Sequence, residues 1–200
     1  MTLTTLDQAT ALVVVDLQNG VVSAPATPLT GPQVVARAAR LAQAFRSRGL
    51  LVVLVRVLLS PGADAVPGRA EASRPPMAMP DGWDAIVPEL AGHPQDLVVT
   101  KRNWGAFYGT DLDLHLRRRA ITQIVLAGIA TSIGVESTAR AAHEHGYHVT
   151  LATDAMSDRN QDAHHNSIER IFPRLGETGT TEQILNLLER THANNTAAGP

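Results

Sequence analysis

One stretch narrows the folds open to this chain more than any other: Gln123-Ile124-Val125-Leu126-Ala127-Gly128-Ile129-Ala130-Thr131-Ser132-Ile133-Gly134-Val135-Glu136-Ser137-Thr138-Ala139-Arg140. Ile124 to Leu126 is a short apolar run bounded by Gly128, the pattern of a central strand. Small residues then make a tight turn. Thr131 and Ser132 are expected to cap the helix that follows, with Glu136 in its first turn, where negative charge is favoured. A strand, turn and helix in this order aim backbone N–H groups at whatever lies beyond the strand end. They predict a platform for a carbonyl, a carboxylate or another anionic group.

The rest of the chain repeats this alternation. Ala11 to Val15 is an unbroken apolar run ending in Asp16, Leu17, Gln18, Asn19 and Gly20, as in a strand buried on both faces. Pro32 to Arg48 carries Val34, Val35, Ala38, Leu41, Ala42 and Phe45 at helical spacing, with Gly49 as its stop. Leu50 to Val57 reads as the second strand, Asp84 to Leu90 as a short helix, and Asp96 to Thr100 as the third strand, with Lys101 directly after it. Asp111 to Arg118 reads as a helix with acidic residues first and arginines last. The helix after the central turn runs to about His145. His148 to Ala152 is a fifth strand, and Asp162 to Ile171 a helix stopped by Pro173. Glu177 to Thr180 is a last short strand, and Thr181 to Arg190 the final helix. The pattern predicts an α/β fold of three α/β/α layers, a mostly parallel doubly wound sheet of about six strands. Ligands of such sheets bind outside the carboxyl ends of the strands, and Asp16, Lys101 and the Gly128–Gly134 turn all fall at such ends.

Ser60 to Trp83 breaks the pattern with five prolines (Pro61, Pro67, Pro75, Pro76, Pro80) and three glycines (Gly62, Gly68, Gly82). A loop this long is read as a flap over the site, with Trp83, Met77 or Met79 supplying apolar contact; a plain surface insertion is the competing reading.

Composition excludes several function classes. Two hundred residues, 44% hydrophobic and with net charge −2, fit one domain over 1–191, with a flexible tail at 192–200. Nucleic acid is not an expected partner, because the only dense basic run, Arg117-Arg118-Arg119, reads as a solvated helix end. No apolar run approaches the ~18–20 residues that span a bilayer, so no membrane partner is expected. No basic segment followed by an apolar one opens the chain, which makes a cytoplasmic location the expectation. The chain has no cysteine, which removes disulfides, thiolate metal sites and thiol nucleophiles together. Lys101 is its only lysine among 17 basic residues. Asp16 beside Lys101 would form an acid–base pair, since an adjacent cation lowers a carboxyl pKa and desolvation raises it.

Gly128-Ile129-Ala130-Thr131-Ser132-Ile133-Gly134-Val135-Glu136-Ser137-Thr138-Ala139-Arg140 resembles the nucleophile turn of the isochorismatase-like (cysteine hydrolase) family. The resemblance extends from about Ala11 to Leu188. Asp16, in Val15-Asp16-Leu17-Gln18-Asn19-Gly20, matches the family's catalytic aspartate, and Lys101 its catalytic lysine. Ala106-Phe107-Tyr108-Gly109-Thr110 resembles the motif that follows that lysine. Thr153-Asp154-Ala155 resembles the aspartate-containing turn after the fifth strand, and His164 or His165 the histidine of the next helix. The resemblance implies a cis non-proline peptide at Ile129–Ala130 or Ala130–Thr131. It also implies a small-molecule substrate and a homo-oligomer, dimer or tetramer.

Gly134 stands where most members carry the cysteine, which closes the thioester route of the amidases. Thr131 and Ser132 are poor substitutes without a base aimed at them. The ligands of the metal-binding branch are missing from Val57-Leu58-Leu59-Ser60-Pro61, so neither a metal nor another cofactor is expected. Glycine at this position also occurs in the branch that cleaves a vinyl ether: an aspartate protonates the enol-ether carbon and water adds to the oxocarbenium ion. The residues expected to carry catalysis are Asp16, Lys101 and Gly134. Those expected to hold substrate are Ala130, Thr131, Trp104, Phe107, Trp83 and Gln18, with core packing an equal alternative for Phe107. Three readings follow: a thiol-free hydrolase, a silent relative that binds a metabolite, and an amidase-type enzyme whose nucleophile has been replaced.

Overall fold

A computed structural model of the chain describes residues 3–58 and 79–192. Most of the proline-rich 60–83 segment, with Met77, and most of the tail at 192–200 lie outside the described residues.

The first strand, β1 (Thr10–Val15), is buried at every position. Its side chains divide between two apolar layers. Leu12 and Val14 join Val34, Leu41 and Phe45 of α2 (Gly31–Arg46), which follows the single turn α1 (Asn19–Val22). Ala11, Val13 and Val15 face the opposite layer, with Leu112 and Leu116 of α3 (Leu112–Arg118) and Ala139 and Ala142 of α4 (Glu136–Glu144). A strand covered on both faces needs no polar alternation, which is why its sequence is a continuous apolar run. Each fully buried valine or leucine contributes about 1.5–3 kcal/mol.

The other strands are β2 (Leu51–Val57), β3 (Leu97–Lys101), β4 (Gln123–Ile129), β5 (His148–Ser157) and β6 (Glu177–Gly179). They form one six-stranded sheet in the order β3-β2-β1-β4-β5-β6. Every neighbouring pair is parallel. Helix α7 (Thr181–His192) packs beside α2, placing Ile184 and Leu188 in the first layer. The strand order reverses between β1 and β4, so the crevice outside their carboxyl ends is the switch point of the sheet. Gly128 is required here: its φ is +133°, and a Cβ would lie 2.1 Å from the Val15 carbonyl oxygen of β1.

Three expectations about elements are corrected. No helix forms over Asp84 to Leu90. The backbone there pairs instead with the segment after β1: Asn19 N–H donates to Ala85 O, Gly20 N–H to Trp83 O, and Val87 N–H to Leu17 O. Pro173 does not end the helix after β5. Helix α5 (Gln161–Asn166) widens into a π turn at Ser167–Ile171 and continues as α6 (Phe172–Leu175), with Pro173 just after the widened turn. Strand β5 runs on to Ser157 because it bulges opposite β4: Leu126 pairs with Leu151, but Gly128 pairs with Met156.

Candidate active site

Asp16 is the residue immediately after β1, at φ +56°, a left-handed conformation uncommon for a residue with a side chain. Its backbone N–H still donates to Val55 O at 2.8 Å, so β2 holds the position. Lys101, the last residue of β3, extends its ammonium to within 2.7 Å of Asp16 Oδ2. Both side chains are almost sealed, 8% exposed for Asp16 and 2% for Lys101. The ammonium also donates to the backbone carbonyls of Asn103 at 3.2 Å and Trp104 at 2.9 Å. Three acceptors use its three protons.

The two oxygens of Asp16 differ. Oδ2 takes the ammonium, whereas Oδ1 is buried with no hydrogen-bond partner among the described residues. Burial pushes the Asp16 carboxyl up from 3.8 to about 6, against the lowering effect of Lys101. An ammonium that close would by itself favour the anion, so desolvation wins. The result is a carboxyl poised near neutrality with one free oxygen, the property a proton-transfer group needs.

Gly134 faces this carboxylate. A Cβ on it would lie 3.1 Å from Asp16 Oδ2, 3.0 Å from Val15 Cγ1 and 3.6 Å from the Trp104 carbonyl oxygen. The position that lacks a side chain therefore adjoins the acid–lysine pair directly.

The turn between β4 and α4 opens with a cis peptide at Ile129–Ala130 and continues as a π turn, Thr131–Val135. Neither Thr131 nor Ser132 caps the helix. The cap position is Ala130, without a side-chain bond, because the helical backbone begins at Thr131. Side chains from beyond β5 hold the turn instead. Thr131 Oγ1 lies 2.8 Å from His164 Nδ1, and Ser132 N–H donates to Asp158 Oδ2 at 2.7 Å. The other oxygen of Asp158 accepts the N–H groups of Arg159 and Asn160. Of the two histidines, His164 is the one turned inward, and His165 is exposed. Burial, followed by the nearby His165, lowers the His164 pKa, so its imidazole is neutral at neutral pH.

Asp154, expected in the turn after the fifth strand, lies in the bulged part of β5. Its carboxylate accepts Thr181 N–H and Oγ1–H at the start of α7 and pairs with Arg37. The carboxylate that reaches the β4 turn is Asp158, four residues later. The expected fifth strand ends at Ala152, so nothing in the local sequence marks Asp158, which the bulge of β5 brings to the strand end.

The remaining expected residues differ in their surroundings. Gln18 is fully buried, and its amide donates to Val57 O at 3.0 Å and accepts Val57 N–H at 2.7 Å, a clamp between β1 and β2. The Trp83 indole lies against Gly20, where a Cβ would fall 1.8 Å from Nε1. Trp104 is 65% exposed beside the carbonyl that holds Lys101. Phe107 is packed in the second layer, its ring centroid 5.1 Å from that of His145 and 6.0 Å from that of Tyr147. Ala130 is half-buried at the head of the turn. Among the described residues no cluster of three or more His, Asp or Glu side chains could hold a metal ion. No described helix is long and apolar enough to cross a membrane.

A family model described as Isochorismatase domain matches residues 10–183. The chain belongs to the isochorismatase family. A solved structure of an isochorismatase family protein from Burkholderia thailandensis superposes with a TM-score of 0.89 at 47% identity, over 92% of this chain and 98% of that one. The uncharacterized isochorismatase family protein YecD of Escherichia coli O157:H7 is 46% identical over 182 residues, 90% of this chain and 97% of its own length. The ureidoacrylate amidohydrolase RutB of Variovorax paradoxus is 32% identical over 172 residues, 74% of this chain and 68% of its own. The chain is an isochorismatase-like hydrolase.

Proposed function

We propose that this isochorismatase-like hydrolase cleaves a small metabolite without a thiol nucleophile, with Asp16 as general acid and base and Lys101 as its electrostatic partner. The observation that carries this reading is the buried Oδ1, without a partner among the described residues, of a carboxyl whose other oxygen is held by Lys101 and whose pKa is raised to about 6. At pH 7 about a tenth of such a carboxyl is protonated, enough to deliver a proton. For a vinyl ether, Asp16 protonates the terminal carbon of the double bond. Water adds to the resulting oxocarbenium carbon, and the hemiketal collapses to a ketone and an alcohol. Gly134 puts no side chain against the carboxylate, and backbone N–H groups near Ala130 and Gly134 bind a substrate oxygen in this reading. Thr131, Trp104 and Trp83 complete the substrate surroundings in this proposal; the Gln18 amide is taken up by Val57 and Phe107 is packed in the second layer, so neither is given a substrate contact.

The first test is pyruvate release from isochorismate. Turnover by the wild type and its loss in Asp16→Asn, by about 10²-fold or more, are expected. A variant that retained wild-type turnover would remove Asp16 from the chemistry.

A second reading is an amidase-type scaffold whose nucleophile has been replaced. The similarity to a ureidoacrylate amidohydrolase supports it, as does the direction of a Gly134 Cβ, 3.1 Å from Asp16 Oδ2. A thiol there would sit beside a base able to take its proton. Gly134→Cys assayed against small amides distinguishes the two readings. Amidase activity gained by the variant would favour the second.

A further inference from the structure

Thr138 lies one helical turn after Gly134 and is fully buried. Its hydroxyl donates to the Gly134 carbonyl at 2.6 Å, the back-bond that a threonine often makes within its own helix. It also accepts the N–H of Ala106 at 3.1 Å. Ala106 belongs to the loop after β3, two residues from Trp104, whose carbonyl accepts a proton of Lys101 at 2.9 Å. The loop and α4 approach closely at this point, since a Cβ on Gly105 would lie 3.3 Å from Ser137 Cβ.

We infer that Thr138 is a positioning residue for the Asp16–Lys101 pair: its hydroxyl ties the Gly134 turn to the loop whose carbonyls aim the Lys101 ammonium. The inference rests on the reading of that pair as the reacting centre. One hydroxyl is donor to the segment facing Asp16 and acceptor from the segment holding Lys101. Removing it leaves the Ala106 N–H buried without its acceptor, and a buried donor is costly to leave unpaired. The loop then has reason to shift, and with it the carbonyls of Asn103 and Trp104. Lys101 is the charged group facing Asp16 and acts to lower its pKa, so an ammonium drawn away lets the carboxyl titrate at higher pH.

The test reads that titration without a substrate. The full chain is labelled with 13C-aspartate, and the Asp16 carboxyl carbon, assigned through Asp16→Asn, is followed by NMR across pH 4–9. Thr138→Val keeps the shape and removes the hydroxyl, Thr138→Ala removes more, and Thr138→Ser keeps the hydroxyl. An Asp16 midpoint about one pH unit higher in the valine and alanine variants, with the wild-type midpoint in serine, is expected. The inference is overturned by an unchanged midpoint in the valine variant, or in alanine if valine does not fold. A serine midpoint displaced as far as valine's overturns it too, since the methyl group would then be the cause. If neither hydroxyl-free variant folds while serine does, Thr138 supports the whole fold rather than the pair, and the inference also falls. Inactivity toward isochorismate with these midpoints as expected would reject the substrate and leave the positioning role intact.

Discussion

The inequality of the two Asp16 oxygens sets what this carboxyl can do. Lys101 fixes Oδ2 and thereby the plane of the group, which turns Oδ1 into a buried oxygen without a partner among the described residues. Replacing Lys101 by methionine keeps most of the side-chain volume and removes the charge. Asp16 should then titrate above about 6, because desolvation loses its main opponent; although more of it is protonated at neutral pH, it is a weaker acid whose plane Lys101 no longer fixes, so kcat/KM there should fall by about 10²-fold. The pH profile of the wild type tells which form works. If Asp16 gives the proton, kcat/KM falls as pH rises through about 6; if it takes one, kcat/KM rises over the same range. Vinyl-ether cleavage requires the falling limb. Gly134 makes a second demand at this scale. The added methyl of Gly134→Ala would meet Val15 Cγ1 at 3.0 Å and Asp16 Oδ2 at 3.1 Å, closer than side chains usually pack. Overpacking of this kind costs about 1–3 kcal/mol. Turnover is expected to drop by more than stability, measured as kcat/KM beside a urea unfolding curve, and a variant as active as the wild type would mean that this space is not used.

The β4 turn is held from outside by the segment that follows β5. Asp158 accepts three N–H groups, one from the turn and two from its own segment, and is 2% exposed. Asp158→Ala leaves those donors without their acceptor and should lower unfolding stability in urea by about 1–3 kcal/mol. If the turn is also part of the site, KM should rise alongside; stability lost without any kinetic change would confine Asp158 to the scaffold. This bracket shows where reading from residues stopped. Buried strands and amphipathic helices announced themselves through periodicity, and Asp16, Lys101 and Gly134 came together because strand ends in a parallel sheet converge. The parallel direction of the six strands follows from the same alternation, whereas their order, β3-β2-β1-β4-β5-β6, is not set by it. What escaped depends on contacts distant in sequence. The segment Asp84 to Leu90 is expected to be helical, yet Pro88 interrupts it and residues 17–20 take its backbone partners. A bulge in β5 carries Asp154 away toward α7 and leaves Asp158 to reach the turn, and no local pattern announces a bulge of this kind. Lys101 is aimed by two main-chain carbonyls, which carry no side-chain signal at all.

For the whole molecule, keeping a charged pair in a sealed crevice has a consequence for stability that pH exposes. The Asp16 carboxyl has a folded-state value of about 6 against 3.8 for the ordinary group, which is taken for the unfolded chain. Below 3.8 the group is protonated in both states and its neutral form is fully compatible with the fold. Between 3.8 and 6 the unfolded chain releases the proton while the folded protein retains it, so unfolding gains and stability falls as pH rises. Above about 6 both states are ionised and the loss is complete, about 3 kcal/mol in all. The direction is opposite to that of a carboxylate stabilised by its cation, because here desolvation exceeds the pull of Lys101. Other groups titrate in the same range, so the measurement is a difference. Urea unfolding of wild type and Asp16→Asn at steps from pH 4 to pH 8 isolates the contribution, since the amide cannot ionise. Whatever the gap at pH 4, it should move against the wild type by about 2.5 kcal/mol and level off above pH 6 to 7. A constant gap would mean that Asp16 titrates as an ordinary carboxyl, and the argument for its proton-transfer role would lose its physical basis. A gap that moves as described ties the two scales together: the burial that lowers stability at neutral pH is the same burial that places the carboxyl where it can exchange a proton.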